Sequence, residues 1–441
     1  MLLISLTVYL TAYFGLITAG FFLLTYFTNR RDMADPPAKK FPFVSFIVPV
    51  FNEKDEIKRT ISSMLSIDYP KDKFEIIIVD DGSSDDTYQE IKKMESKIVR
   101  VFTKDNGGCA SALNFGIRKA RGKIIARFDA DTILSKDSLK KTIGYFENPK
   151  VIAVTSSLNV RNHVGFLQRI QWAEYLFGIT LRKIFDLNNA IHVIPGPLSV
   201  YRAEFFEKHG GFDEGNITED TEMAMRIQSY GYEIRNSISA NVYTNVPTKF
   251  GQLLKQRIRW YTGFIYNAWN YRHLYYWKRK TDLSIFVLPA AVISVLLAFL
   301  SFFVMLYYNL KGLSNTITKI SVTGFSLDDW IKNMTLKTMQ ESFFNYATSQ
   351  YIFFIILGIL LMILFFSISK YHSGEKRGVI WAIILYFIFY IFFFLFWWGA
   401  AIFYFVSGKE QKWGRRSYRG AVMVGQKAIK EKQRLKIRKS S

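Results

Sequence analysis

Cysteine is nearly absent: the 441-residue chain has one, Cys109. That excludes an intrachain disulfide and any metal site built from several thiolates. Acids are scarce as well, 36 Asp+Glu against 58 Lys+Arg, for a formal charge of +22. Charge of either sign is missing from four long stretches, Leu2–Asn29, Leu283–Leu310, Ser342–Ser369 and Gly378–Gly408. A helix buried in a soluble core rarely runs so long without a polar face, and each stretch exceeds the ~20 residues that cross a bilayer. All four read as membrane segments. The first lacks the basic start of a signal peptide, outruns a signal's apolar core and ends in "TNRR". It is expected to be an anchor, with the residues after it in the cytoplasm.

The excess of positive charge is placed beside these stretches: Arg30 and Arg31, Lys39 and Lys40, "WKRK" at Trp277–Lys280, and 12 Lys+Arg from Lys409 onward against Glu410 and Glu431. Such placement fits the positive-inside pattern and attraction to anionic lipid heads rather than nucleic acid, so lipids are an expected partner and nucleic acid is not. The reading is of a multi-pass protein of the cell membrane. Residues 1–29 form a first span, 30–43 a Pro-broken linker and 44–282 one cytoplasmic domain with interfacial helices. Spans at 283–310 and 342–369 flank a loop at 311–341, and 378–408 is a span or a partly re-entrant segment before a basic tail, 409–441. "GFLQRIQWAEYLFGITLRKIF", Gly165–Phe185, suits a helix packed in the core or lying at the interface.

The domain alternates. "FVSFIVPVF", "FEIIIVDDGS", "KIVRVFTK" and "KIIARFDAD" read as buried strands, with "EKDEIKRTISSMLS", "DDTYQEIKKMES" and "GCASALNFGIRKA" as the helices between them. Strands apolar on both faces and separated by helices specify a parallel sheet covered on both sides, with ligands beyond the carboxyl ends of its strands. Those ends carry acids: "PVFNE" at Pro49–Glu53, "VDDGSSDDT" at Val79–Thr87 and "FDAD" at Phe128–Asp131. Two carboxylates at i and i+2 beyond a strand can face one hard, oxygen-ligated divalent ion, Mg²⁺ or Mn²⁺. A lone D-x-D is a chance match, and "DGSSDD" alone is a turn and a cap. Their order after successive buried strands is what gives them weight.

Downstream, "GNITEDTEMAMRI" offers Thr218 as a helix cap with Glu219 and Asp220 in the first turn, or a carboxylate serving as general base. "KQRIRWYTGF" places Gln256, Arg257, Arg259 and Trp260 together. Guanidinium groups bind phosphate oxygens bidentately, and an indole face stacks on a sugar ring; a juxtamembrane basic-aromatic anchor is the plainer alternative.

As a set, Asp-Asp-Gly-Ser, Asp-x-Asp, Thr-Glu-Asp and Gln-x-x-Arg-Trp in this order resemble the membrane-bound, processive family 2 glycosyltransferases, which include the cellulose, chitin, hyaluronan and poly-N-acetylglucosamine synthases. The likeness covers about Val44 to Trp260. It implies an α/β GT-A domain, Rossmann-like with a mostly parallel sheet, inserted between transmembrane helices. It also implies that Pro49, Phe51, Glu53 and Asp81 hold the uridine of a UDP-sugar, and that Asp129 and Asp131 address the diphosphate and its divalent metal. Asp220, beside Glu219, would be the base for inversion to a β linkage. Arg259 with Arg257 would stabilise the leaving UDP. Trp260, Gln256 and Gly196 would lie on the acceptor side, against a growing polysaccharide. "NGGCASALNFG" is similar to a family segment that carries lysine where Cys109 stands; a small residue filling the helix start is the favoured reading of that cysteine. "KWGRRSYRG" resembles the family's gating loop, with Arg415 in place of threonine; Trp413 and Arg416 would close over UDP, unless the segment is simply a basic tail on the membrane.

The sugar is ambiguous in the same terms. Glu222, two residues after Asp220, resembles the cellulose-synthase form, whereas the compact size resembles bacterial poly-N-acetylglucosamine synthases. UDP-N-acetylglucosamine is favoured over UDP-glucose. A single-sugar transferase to a lipid carrier and a non-enzymatic scaffold are the rival classes, and an accessory membrane subunit is left open. Four crossings would put the basic tail outside, against the positive-inside rule. The 31 residues of Gly378–Gly408 would rise roughly 46 Å as a helix, so this segment is expected to bend at Trp397–Ala401, lie partly in the interface or re-enter, the alternative being a tail that lies outside.

Overall fold

The computed structural model describes residues 2–275, 282–324, 350–409, 411–413 and 416–418. The "WKRK" segment and most of the basic tail lie outside them. Strands β1 (Val44–Val50), β2 (Phe74–Asp80), β3 (Val99–Thr103) and β4 (Ile124–Arg127) are followed by β5 (Ile133–Leu134), β6 (Val151–Val160), β7 (Ser199–Arg202) and β8 (Glu233–Thr244). In chain order the helices are α1 (Leu2–Thr28), α2 (Ile57–Leu65), α3 (Thr87–Lys92), α4 (Cys109–Lys119), α5 (Ser138–Ile143), α6 (Phe166–Leu187), α7 (Ala203–His209), α8 (Glu219–Ser229) and α9 (Phe250–Asn270). Then come α10 (Leu288–Thr323), α11 (Gln350–Ser373) and α12 (Ile380–Ser407).

Eight strands form one sheet in the order β3-β2-β1-β4-β7-β6-β8-β5. The four on the β3 side are parallel, as the unbroken apolar runs require. Beyond β4 the sheet is mixed: β7 runs antiparallel to both β4 and β6, β8 parallel to β6, and β5 antiparallel to β8. Phe46, Ile76, Ile78, Ala126 and Val200 are fully buried on one face with Ile57 and Ile61 of α2, while Ile47 and Ile125 on the other meet Leu113 and Met223. Parallel crossovers put the carboxyl ends of β1, β2 and β4 on one edge, where the acid-bearing turns follow.

Residues 2–28 and 288–368 form one unit, and the other described residues a second. In the first, α1 pairs with α10 through Thr11 Oγ1 and Ser301 Oγ at 3.0 Å, and Tyr13 meets Phe354 edge-on at 5.5 Å. Outward residues such as Ile17, Leu296 and Met305 are exposed and apolar, a surface suited to lipid tails. Helix α10 runs on to Thr323, so the loop expected from 311 is helical through 323, and the rest of that loop lies outside the described residues.

Helix α12 belongs to the second unit. It packs on α6 and α9 through Phe389 against Phe166, Phe393 against Phe250 and Trp398 against Tyr261, with ring centroids 5.0, 5.7 and 4.7 Å apart. It bends by 47° between Ile380–Tyr390 and Phe392–Ser407. The bend expected at Trp397–Ala401 falls earlier, because Trp397 and Ala401 are themselves buried in a straight stretch of the contact. Its other face, with Trp381, Phe392 and Phe403, is exposed. The short strands Gln411–Trp413 and Arg416–Tyr418 form a hairpin that sets Trp413 opposite Arg416.

Candidate active site

The turns beyond β1 and β2 are tied to each other. Asn52 takes a left-handed backbone, φ 56°, which asparagine tolerates. Its amide donates to Ser83 Oγ at 3.0 Å, and its Oδ1 accepts from the Ser84 amide at 2.9 Å. The Glu53 amide donates to Thr87 Oγ1 at 2.9 Å. Pro49 and Phe51, flanking this turn, are half-buried. Asp81 is buried, and its carboxylate accepts from Lys104 Nζ and the amides of Gly107 and Gly108 at 2.9, 2.9 and 2.6 Å. Its direct work is therefore to fix the loop that leads into α4. The amide of Phe128 donates to Ile47 O at 3.0 Å, and Thr60 Oγ1 to Ala130 O at 2.7 Å, which anchors the Asp129–Asp131 turn on both sides.

Three carboxylates here disfavour one another's charge. Burial, then Asp131 and other acids, pushes Glu53 up to about 7. Burial, only partly offset by Arg127, pushes Asp129 up to about 6, with Asp131 and Glu219 adding to the rise. Asp131 is raised too, chiefly by burial. Gly196 lies directly over Asp129: a Cβ there would come within 2.4 Å of both carboxylate oxygens. Gly196, expected on the acceptor side, lets the chain pass close against the Asp-x-Asp turn.

Among the described residues no three Asp, Glu, His or Cys side chains converge as a complete metal cage. Asp129 and Asp131 nonetheless suit a divalent ion whose remaining ligands are phosphate and water, the usual mode for Mg²⁺. Glu53, Asp129, Asp131, Glu219 and Asp220 outnumber the cations Arg127 and Arg259 among them, so such an ion would offset the excess of acids.

Glu219 and Asp220 open α8 and separate in character. Burial raises Glu219, but Arg127, with Nη2 at 2.8 Å, and Arg259 outweigh it and hold Glu219 below the ordinary glutamate range. Asp220 is pushed upward by burial and by the charge of Glu219. The two neighbouring acids are thus moved in opposite directions, Glu219 toward the ionised form by its arginines and Asp220 toward the protonated form by burial and the charge of Glu219. Thr218 does not cap the helix with its side chain; its hydroxyl accepts from Asn267 Nδ2 at 3.0 Å.

Helix α9 faces two ways. Arg259 donates to Ile217 O at 3.1 Å and stands in the field of Asp129, Glu219 and Asp220. Arg257, two residues earlier, is turned to the opposite side. It is 2 % exposed, pairs with Glu174 of α6 at 2.7 Å and stacks on Trp260, with its guanidinium carbon 4.3 Å from the ring centroid. The structure therefore does not bring Arg257 to the nucleotide side, since a step of two residues on a helix reverses the face. Gln256 and Trp260 are half-buried. Glu222, singled out as a sugar cue, is occupied structurally: it accepts from Tyr271 OH at 2.6 Å and pairs with Arg226 at 3.1 Å. Burial pushes the Cys109 thiol well above its ordinary range, in line with an inert small residue.

Several contributors escaped the sequence reading. Asn216 and Asn267 bond at 2.8 Å, and Gly263 comes so close to Thr218 that a Cβ would meet its Oγ1 at 2.2 Å. Together they clamp α9 to the turn before α8. Arg127 carried a legible signal, a guanidinium in a strand with no exposed residue, because a buried charge needs partners. A separate groove of about 1340 Å³, lined by Lys39, Arg118, Arg121 and Lys123, opens at the amino ends of the strands, at the other edge of the sheet from these acids.

Comparisons with known proteins agree with this layout. Residues 45–210 match the family model described as "Glycosyl transferase family 2". The chain is 34% identical over 241 residues to a poly-β-1,6-N-acetyl-D-glucosamine synthase of Staphylococcus epidermidis, covering 53% of this chain and 58% of the relative. It is 35% identical over 225 residues to the synthase of the same name from Staphylococcus aureus strain MSSA476, covering 50% and 54%. It thus spans little more than half the length of these relatives. A mannosyltransferase of Pyrobaculum calidifontis, solved with GDP-mannose and Mn²⁺, superposes with a TM-score of 0.52 over 84% of this chain and all of that one, at 19% identity, and shares the fold. The chain carries a family 2 glycosyltransferase domain of GT-A architecture, flanked by long apolar helices, and is homologous to the poly-N-acetylglucosamine synthases.

Proposed function

We propose that this protein is an inverting, processive glycosyltransferase that builds a β-linked polysaccharide from a UDP-sugar, UDP-N-acetylglucosamine before UDP-glucose, and passes it across the membrane. The observation that carries the reading is the opposed pair Glu219 and Asp220, one held ionised by Arg127 and the other raised as a base, in the field of the Asp-x-Asp turn. The donor's nucleotide lies along the tied β1 and β2 turns, with Pro49, Phe51, Glu53 and the Asp81-braced loop around uridine. Asp129 and Asp131 hold Mg²⁺ or Mn²⁺, which when bound neutralises the diphosphate. Asp220 takes the proton from the acceptor hydroxyl as that oxygen bonds to the anomeric carbon. The carbon–phosphate-oxygen bond breaks on the far side, and its electron pair leaves with UDP beside Arg259. Trp260 and Gln256 lie on the acceptor's path, and Trp413 with Arg416 act as a gate over UDP.

The multi-pass topology follows the same reading. Helices α1, α10 and α11 cross the bilayer, and α12 lies along the membrane face of the domain, its inner side on α6 and α9 and its outer side in lipid. Three crossings put the transferase domain and the basic tail both in the cytoplasm, as the charge pattern requires.

The test is to supply the full chain, purified in nanodiscs, with single radiolabelled UDP-sugars and Mg²⁺ or Mn²⁺, and to size the product beside an Asp220→Asn control. A long polymer from one donor, absent in the control, is expected. A one-sugar lipid-linked product would overturn processivity, and no UDP release from any donor would overturn the enzyme reading.

A further inference from the structure

Arg127 has hydrogen-bonding capacity that the protein leaves unused. It ends β4, is 6 % exposed, and presents five N–H groups around a planar guanidinium. Nη2 is engaged: it donates to Glu219 Oε1 at 2.8 Å, with Cys109 Sγ 3.8 Å away. Nε stands 3.7 Å from Asp129 Oδ1, an ion pair too long for a hydrogen bond. Nε and Nη1 have no hydrogen-bond partner, although both atoms are buried. The guanidinium also lies near the Phe212 ring, its carbon 5.7 Å from the centroid. Leaving donors on a buried charged group unsatisfied is costly, so such a group calls for an explanation, of which a bound ligand is one.

The surroundings point to the ligand's chemistry. Arg127 reaches from the Asp-x-Asp turn on one side to Glu219, next to the base, on the other, with the small Cys109 side chain alongside. A larger or cationic side chain at 109 would compete for the same space. We propose that Arg127 binds an anionic oxygen of the donor's diphosphate through its unused Nη1, and so brings a cation from β4 to the phosphates. This rests on the nucleotide-sugar reading above. It gives the transferase domain a donor contact outside its four motifs, from a residue inside the sheet rather than on a loop.

The experiment compares UDP and UMP binding to the full chain in nanodiscs at saturating Mn²⁺, because only UDP carries the second phosphate. In wild type, UDP binds more tightly than UMP. In Arg127→Met, UDP affinity falls about ten- to a hundredfold while UMP affinity changes far less, so the UDP-over-UMP ratio collapses. The double variant Cys109→Lys/Arg127→Met, with an ammonium returned from the α4 side, regains most of the ratio. A thermal melt accompanies each variant. If Arg127→Met does not fold, the double variant and Arg127→Lys carry the test, and both keep a ratio above unity if the inference is right. An Arg127→Met protein that melts like wild type and keeps the full ratio overturns the proposal, as does equal loss of UDP and UMP affinity. Failure of wild type to bind UDP at all would instead sink the nucleotide-sugar reading on which it stands.

Discussion

Around the sheet edge, burial first and neighbouring acids second raise Glu53, Asp129 and Asp131, and the cation beside them, Arg127, keeps two nitrogens, Nε and Nη1, without a hydrogen-bond partner. Across at the helices, side-chain pairs tie one element to the next, Asn216 with Asn267, Tyr271 with Glu222 and Arg257 with Glu174, although Gln256 Oε1 and Arg257 Nε are also buried without a hydrogen-bond partner. The strand-end half is rich in raised acids, which under the proposed function a metal and a diphosphate would complement. Under the proposed function, the helical half would hold the base and the acceptor platform in place.

The strongest way to break this comparison is at the base. Asp220→Asn should cut sugar transfer by about a hundred- to ten-thousandfold, read as UDP release and polymer yield. Gly196→Ala attacks the donor half by crowding both Asp129 oxygens. It should lower turnover by about ten- to a hundredfold and weaken Mn²⁺-dependent UDP binding, with the fold destabilised by ~1–3 kcal/mol in a thermal melt. The pH profile sharpens the assignment. Asp220 must be ionised to accept a proton, and its pKa is raised, so kcat should fall about tenfold per pH unit on an acid limb lying above the ordinary aspartate range. A limb within that range would move the base elsewhere. The smallest effect on turnover is expected from Arg257→Met. It leaves Glu174 buried without its partner and should cost ~3–5 kcal/mol of stability, while KM for the donor moves less than about threefold.

The strand-end half was the more legible in the sequence. Its strands are apolar on both faces and its acids follow them directly, so local pattern and placement coincide, from Val44 to Asp131. The helical half was legible as a motif and misleading in orientation. Arg257 and Arg259 are adjacent in a string yet face opposite sides of α9, and only the helix phase against α6 and α8 decides which meets the acids. Gly196 and Gly263 carry no side-chain signal, so their close approaches to Asp129 and Thr218 are products of tertiary packing. Along the run 378–408, apolar packing on the domain and contact with lipid draw on the same residue types, so composition alone does not separate them. The run's pairing with α6 and α9 lies more than a hundred positions away in the chain, beyond any local pattern.

The most direct test of the division between halves is a side-by-side titration of UDP with Mn²⁺ into Asp220→Asn and Asp129→Asn. The account predicts that Asp220→Asn binds UDP within about twofold of wild type while transferring no sugar, and that Asp129→Asn loses UDP affinity by about a hundredfold. Equal loss of UDP binding in both variants, or unchanged binding in Asp129→Asn, would contradict it.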